Sequence, residues 1–151
     1  MSKRIGGYEL KNNIDKNDIG ICYKTNDNNK LYAIKEINIQ YKKFVDNEIE
    51  ILKKMNSKYS VEFIESIEEG DNIYIVMELC DGDLNYLLDK YNGNLDITTI
   101  IGIIFQLNEV LKLMHSMKIE HRDLTPENIL IKYIYNLNYI IVGDIGKILI
   151  I

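Results

Sequence analysis

The residues best suited to chemistry are gathered in His121-Arg122-Asp123-Leu124-Thr125-Pro126-Glu127-Asn128. Asp123 can accept a proton from a hydroxyl. The amide oxygen of Asn128 can help hold a divalent cation, because hard cations prefer oxygen ligands. Read alone, the same letters also fit a charged surface loop in which Pro126 forms a turn. Further groups elsewhere are placed like partners. Lys35 ends the strand-like run Ala33-Ile34-Lys35, and a strand lysine can present a fixed point charge to phosphate oxygens. On an edge strand it would simply face solvent. Glu48 sits beside an apolar stripe of helical spacing, Val45, Ile49, Leu52 and Met55, so it can face inward; Glu50 lies off that stripe. Asp144, in Gly143-Asp144-Ile145-Gly146, follows an apolar run and stands beside glycine, which suits a metal ligand or an ordinary turn.

Those groups need elements to position them. Alternation and turn residues predict short strands at Tyr8–Leu10, Gly20–Tyr23 and Leu31–Ile37, with Asn12–Asp18 polar and turn-like and a turn at Asn26–Asn29. Phe44–Met55 reads as a helix. Val61–Ser66 and Ile73–Met77 read as strands around a turn at Glu69–Asn72. Asp83–Tyr91 reads as a short helix capped by Asp83 and closed at Tyr91–Asn94. Asp96–Met117 reads as a long apolar helix with Ile100, Ile104, Leu107, Leu111 and Met114 in register and His115 as a polar cap near its end. Ile129–Ile131 and Tyr139–Val142 read as a strand pair around Tyr135–Asn138.

Composition bounds the class. A 151-residue chain with 46% hydrophobic and 27% charged residues can bury a core of its own. The net charge of −5 gives no electrostatic support to nucleic-acid binding. Cys22 and Cys80 form no metal-spacing motif and read as buried thiols in a reducing compartment. No apolar signal core follows Met1, and the run Ile100–Phe105 is too short to span a bilayer. The expectation is a soluble, intracellular, cytoplasmic protein.

His121–Asn128 resembles the catalytic loop of eukaryotic-type protein kinases, H-R-D-L-x-x-x-N. Ala33-Ile34-Lys35 resembles the V-A-I-K strand. Glu48 matches the helix glutamate that pairs with that lysine, and Gly143–Gly146 resembles D-F-G with Ile145 for Phe. The resemblance implies an α+β, two-lobed protein-kinase-like fold. Residues 8–78 would form a small antiparallel β lobe with one helix, 79–82 a hinge, and 83–151 the beginning of an incomplete, mainly helical large lobe. It further implies ATP between the lobes and Mg2+ on Asn128 and Asp144, with Lys35, fixed by Glu48, on the α- and β-phosphates. Asp123 would be the catalytic base for transfer of the γ-phosphoryl group to a protein hydroxyl. Gly20, Cys22, Ala33, Met77, Asp83 and Leu130 would line the nucleotide, with the backbone of Glu78 and Cys80 on the adenine edge. Arg122 would pair with a phosphorylated activation loop.

Three departures accompany the resemblance. Asp15 and Asn17 stand where the family's flap carries glycines, and only Gly20 matches. Thr125 replaces a lysine common in Ser/Thr kinases, although Pro126-Glu127 is Ser/Thr-like. The chain reaches Ile151 soon after Asp144, so an exposed apolar tail at Ile148–Ile151 is expected. The same shortfall leaves a large-lobe surface on Asp96–Met117 that a partner would cover. The alternative reading is a pseudokinase-like binding module or an inactive kinase fragment.

Overall fold

A computed structural model of the chain describes residues 2–16, 20–27, 30–55, 60–121, 124–134, 137–142 and 149–150. The chain divides into two compact units, residues 1–53 with 62–79, and residues 54–61 with 80–151.

The first unit is built on one antiparallel sheet. Its strands are β1 (Arg4–Ile5), β2 (Tyr8–Lys16), β3 (Gly20–Asp27), β4 (Lys30–Asn38), β5 (Phe63–Glu69) and β6 (Asn72–Glu78), in the order β1-β2-β3-β4-β6-β5. A 3-10 turn at Ile39–Tyr41, capped by Asn38, leads into helix α1 (Lys42–Met55). The order of β2 to β6 and α1 agrees with the sequence reading, which did not include β1 and set the β5–β6 turn at Glu69–Asn72, whereas Glu69 and Asn72 are strand residues. The stretch expected to be turn-like, Asn12–Asp18, is strand as far as Lys16, and residues 17–19 lie outside the described residues. Pairing with β3 overrides the turn preference of Asn and Asp, and two register shifts, at Leu10/Asn12 and Asn13/Asp15, absorb the misfit. Likewise Asn26 and Asp27 belong to β3, and 28–29 lie outside the described residues.

The central strand β4 sorts its residues by the two-residue period of a strand. Ile37, with Ile73 and Ile75 of β6 and Val45 of α1, forms a buried cluster against which Ile49, Phe63 and Met77 pack. Ile34, with Tyr74 and Val76 of β6 and Ile5, Tyr8 and Leu10 of the first strands, forms a second cluster. The sheet curls until its edges approach each other. Tyr8 of β2 donates to Glu65 of β5 at 2.5 Å, and a Cβ on Gly6 would stand 3.0 Å from Ile67 Cδ1. Gly6 turns β1 into β2 at φ +54°, a conformation glycine adopts without strain.

The second unit carries β7 (Gly82–Asp83), α2 (Leu84–Lys90), α3 (Ile97–Ser116), β8 (Ile119–Glu120), β9 (Ile129–Ile134), β10 (Leu137–Val142) and β11 (Leu149–Ile150). Asp83 caps α2 by accepting from Tyr86 N at 2.8 Å, and Asp96 caps α3 by accepting from Thr99 N at 2.9 Å. Leu87, Ile103, Ile129 and Ile131 form its core cluster.

Here the structure departs from the sequence reading in several places. The buried residues of α3 are Ile103, Val110 and Met114, whereas Ile100, Ile104 and Leu111 of the expected stripe are exposed. Within the tail expected at Ile148–Ile151, Leu149 and Ile150 form a strand opposite Glu120 and Ile119, and residues 148 and 151 lie outside the described residues. Cys80 is half-buried, not buried. Moreover, α3 is 20 residues long and apolar enough, by length and composition, to cross a membrane, which the short run Ile100–Phe105 did not suggest. Burial of Ile103 and Val110 shows one face of α3 used as packed core.

Candidate active site

Strand β4 and helix α1 bring two of the expected residues together. Both oxygens of the Glu48 carboxylate accept from Lys35 Nζ, at 3.0 and 3.1 Å. The pair is largely withdrawn from water, with side-chain exposures of 15% for Lys35 and 6% for Glu48. The local cause is visible in the sequence. Lys35 shares its side of β4 with Ala33 and Ile37, and α1 presents the stripe Val45–Leu52–Met55 beside Glu48, all buried. Glu50 is exposed, as its place off the stripe implies.

The other residues expected in the first unit are set around this pair by sheet register. Cys22 stands opposite Lys35, Ala33 opposite Met77, and Gly20 opposite Ile37. A Cβ on Gly20 would run into the Glu36 carbonyl oxygen and come within 3.2 Å of Ile37 Cγ1. Close strand approach therefore requires glycine at this position. Glu78 ends β6; its N–H donates to the Glu62 carbonyl at 3.0 Å and its carboxylate accepts from Glu62 N at 2.9 Å.

In the second unit, Asp83 pairs with Leu130 across β7 and β9, and Asp81 N donates to the Ile131 carbonyl at 2.9 Å. Thr125 opens a 3-10 turn at Pro126–Asn128, with Pro126 in its first position, where a missing N–H costs nothing. Asn128 is 8% exposed and its N–H donates to the Thr125 carbonyl at 2.9 Å. Glu127 accepts from the amide of Asn85 on α2 at 3.2 Å. His121 is buried. Arg122, Asp123 and Asp144 lie outside the described residues. The donor chemistry expected for Mg2+ is hard oxygen. Asn128 offers an amide oxygen from a buried position, and among the described residues no cluster of three His, Cys, Asp or Glu side chains forms.

A model of the protein kinase domain matches residues 8–147. The chain belongs to the protein kinase family. Among similar proteins, the kinase domain is 36% identical over 132 residues to the probable serine/threonine-protein kinase zyg-1 of Caenorhabditis elegans, an overlap that covers 85% of this chain and 19% of that protein. It is 32% identical over 146 residues to cyclin-dependent kinase-like 1 of the same organism, covering 92% of this chain and 40% of that protein. Calcium-dependent protein kinase 29 of Arabidopsis thaliana is 34% identical over 135 residues, covering 82% of this chain and 25% of that protein. The kinase domain thus spans less than half the length of these relatives. The mixed α+β fold with an antiparallel β unit and one attendant helix is the fold expected of this family.

One constellation escaped the sequence reading. Glu36 Oε1 accepts from Lys3 Nζ at 2.8 Å, Asn72 Nδ2 at 2.8 Å and Tyr74 OH at 3.1 Å. Burial alone would raise the Glu36 carboxyl, yet the donors Lys3, Tyr23 and Tyr74 hold it below its ordinary range. Burial would likewise lower the Lys3 ammonium, but the bonds to Glu36 and Tyr74 raise it well above the usual value. The one signal available was adjacency. Lys35 and Glu36 are neighbours on a strand, so one of them has to face away from α1.

Proposed function

We propose that this kinase domain binds ATP with Mg2+ and transfers the γ-phosphoryl group to a serine or threonine hydroxyl of a protein. The Lys35–Glu48 pair carries the reading. A buried carboxylate holding a lysine from both oxygens fixes an ammonium as a point charge, the arrangement needed to orient the α- and β-phosphates. Asp123 takes the role of base for the substrate hydroxyl. Asn128 and Asp144 are the residues that would hold Mg2+, which when bound neutralises charge developing on the phosphates. Gly20, Cys22, Ala33, Met77, Glu78, Cys80, Asp83 and Leu130 are assigned to nucleotide contact. Residues 8–78 are assigned to the small lobe, 79–82 to the hinge and 83–151 to the large lobe. An intracellular, cytoplasmic setting goes with this reading, supported by the free thiol of Cys80 and the proposed use of ATP.

A second reading is supported by Asp15 and Asn17, which stand where the family's flap carries glycines. Asp15 and Asp18 add negative charge in that stretch, which would repel phosphate, and the reading is a pseudokinase-like module that binds a partner without catalysis. A thermal-shift titration with MgATP decides first. Saturation at 100 times Kd stabilises a folded protein by about 2.7 kcal/mol. A Mg2+-dependent shift that vanishes in Lys35→Ala supports the ATP site; a folded chain with no shift refutes it. Phosphoryl transfer lost in Asp123→Asn supports catalysis, and nucleotide binding without transfer supports the second reading.

A further inference from the structure

The segment before Tyr8 precedes the region matched by the family model, yet it is built into the first unit. Arg4 and Ile5 pair with Glu9 and Tyr8, and Leu10 N donates to the Lys3 carbonyl at 2.8 Å. Ser2 Oγ donates to Glu9 Oε1 at 2.5 Å. Ile5 is 2% exposed within the cluster of Ile34, Tyr74 and Val76. These contacts set Lys3 over the Tyr74 ring, 5.1 Å from its centroid, with its ammonium on Glu36.

Glu36 is the neighbour of Lys35 in β4, and the two side chains leave the strand on opposite sides. Lys35 meets Glu48 of α1; Glu36 meets Lys3, Asn72 and Tyr74. The Glu36 carboxylate is 12% exposed, so it depends on its donors, of which Lys3 is the cation. Asn72 and Tyr74 belong to β6, which already pairs with β4. Lys3 adds an ion pair from the amino-terminal strap to β4, beside the apolar packing of Ile5 on Ile34.

We propose that Lys3 is a positioning residue for Lys35, acting through Glu36 from the far side of β4. The proposal rests on the reading of Lys35 as the phosphate-directed charge, and the two are tested separately. The strap fixes the roll of β4 about its own axis, and that roll sets where Nζ of Lys35 points. Loss of the Lys3 ammonium leaves Glu36 buried with neutral donors only. The carboxylate then turns toward water, and β4 gains freedom that loosens the Lys35–Glu48 pair.

The test is trace acetylation of the full chain with acetic anhydride, with the rate at Lys35 read by mass spectrometry against the exposed Lys112. The expected result is Lys35 labelling on the order of threefold faster in Lys3→Met, since local opening governs access to a buried amine, and restoration of the wild-type rate in Lys3→Arg. Wild-type labelling in folded Lys3→Met overturns the proposal, as does Lys3→Arg behaving like Lys3→Met. Should Lys3→Met fail to fold, Glu36→Gln takes its place, with faster Lys35 labelling expected and an unchanged rate overturning the idea. Labelling needs no nucleotide. An MgATP titration in which Lys35→Ala matches wild type removes the phosphate-facing reading and leaves the labelling result to stand or fall by itself.

Discussion

The buried pair Lys35–Glu48 makes the sharpest prediction, because structure and function ask different things of it. Two charges withdrawn from water stabilise little beyond a well-packed apolar pair, yet removal of one partner strands the other and costs about 3–5 kcal/mol. Side-chain exposures of 15% and 6% and two bonds at 3.0 and 3.1 Å put the pair in that buried class. Glu48→Leu alone is therefore expected to cost about 3 kcal/mol, a fall of roughly 6–12 °C in Tm for a chain of this size. Lys35→Met alone leaves the Glu48 carboxylate buried without its cation and is expected to cost about as much. The double variant Lys35→Met/Glu48→Leu keeps the volumes and is expected to return to within about 1 kcal/mol of wild type. The assay is urea unfolding of all four proteins, read as a double-mutant cycle, followed by MgATP titration of each. The double variant is expected to be stable and unable to bind MgATP, which separates charge placement from packing. Single variants that each cost under about 1 kcal/mol and simply add in the double would refute the burial argument, since independent sites add within about 0.5 kcal/mol. A double variant that binds MgATP as wild type does would refute the functional one.

Other positions give simpler outcomes. Gly20→Ala drives a methyl into the Glu36 carbonyl and is expected to destabilise by about 1–3 kcal/mol; an unchanged unfolding midpoint would show that β3 can retreat. Asp83→Ala removes the cap of α2 and is expected to cost about 1 kcal/mol, with most of it recovered in Asp83→Asn; equal losses in both would remove the cap as the cause. Glu36 sets part of the acid limb of stability. Its folded carboxyl lies below its unfolded value of about 4.3, so its contribution is complete above that value and is lost as pH falls through the folded one. Glu36→Gln is therefore expected to flatten unfolding below about pH 4, and an acid titration identical to wild type would count against the Lys3–Glu36 contact. Lys3 behaves in the opposite sense, its contribution present below its ordinary pKa of about 10.4 and lost only as pH climbs through the raised folded value.

What the sequence made legible was whatever a local period decides. Glu48 was separable from Glu50 because a stripe of Val45, Ile49, Leu52 and Met55 defines one face of α1, and the structure buries Glu48 and exposes Glu50. The register of α3 was not legible for the same reason in reverse. Ile97, Ile100, Ile101, Ile103, Ile104, Phe105 and Leu107 surround that helix with apolar side chains, so no period selects a face. The choice of Ile103 and Leu107 is made by Leu87, Ile129 and Ile131, which lie on other elements. The strand β2 was cut short because Asn12, Asn13 and Asp15 favour turns on their own, and only β3 opposite them makes a ladder the better state. The paired end at Leu149–Ile150 depends on Ile119–Glu120, again distant in sequence.

The Lys3–Glu36 contact spans 33 residues, and apart from the adjacency of Lys35 and Glu36 nothing in the sequence announces it. A strand cannot turn one side chain without turning its neighbour the other way. Lys35 is held by α1 on one side and Glu36 by the strap and β6 on the other, so the direction of the Lys35 ammonium is a property of both faces of β4. A kinase motif read as Ala-Ile-Lys alone therefore omits half of what fixes its lysine. The residue after that lysine, and the chain segment it reaches, belong to the same positioning device.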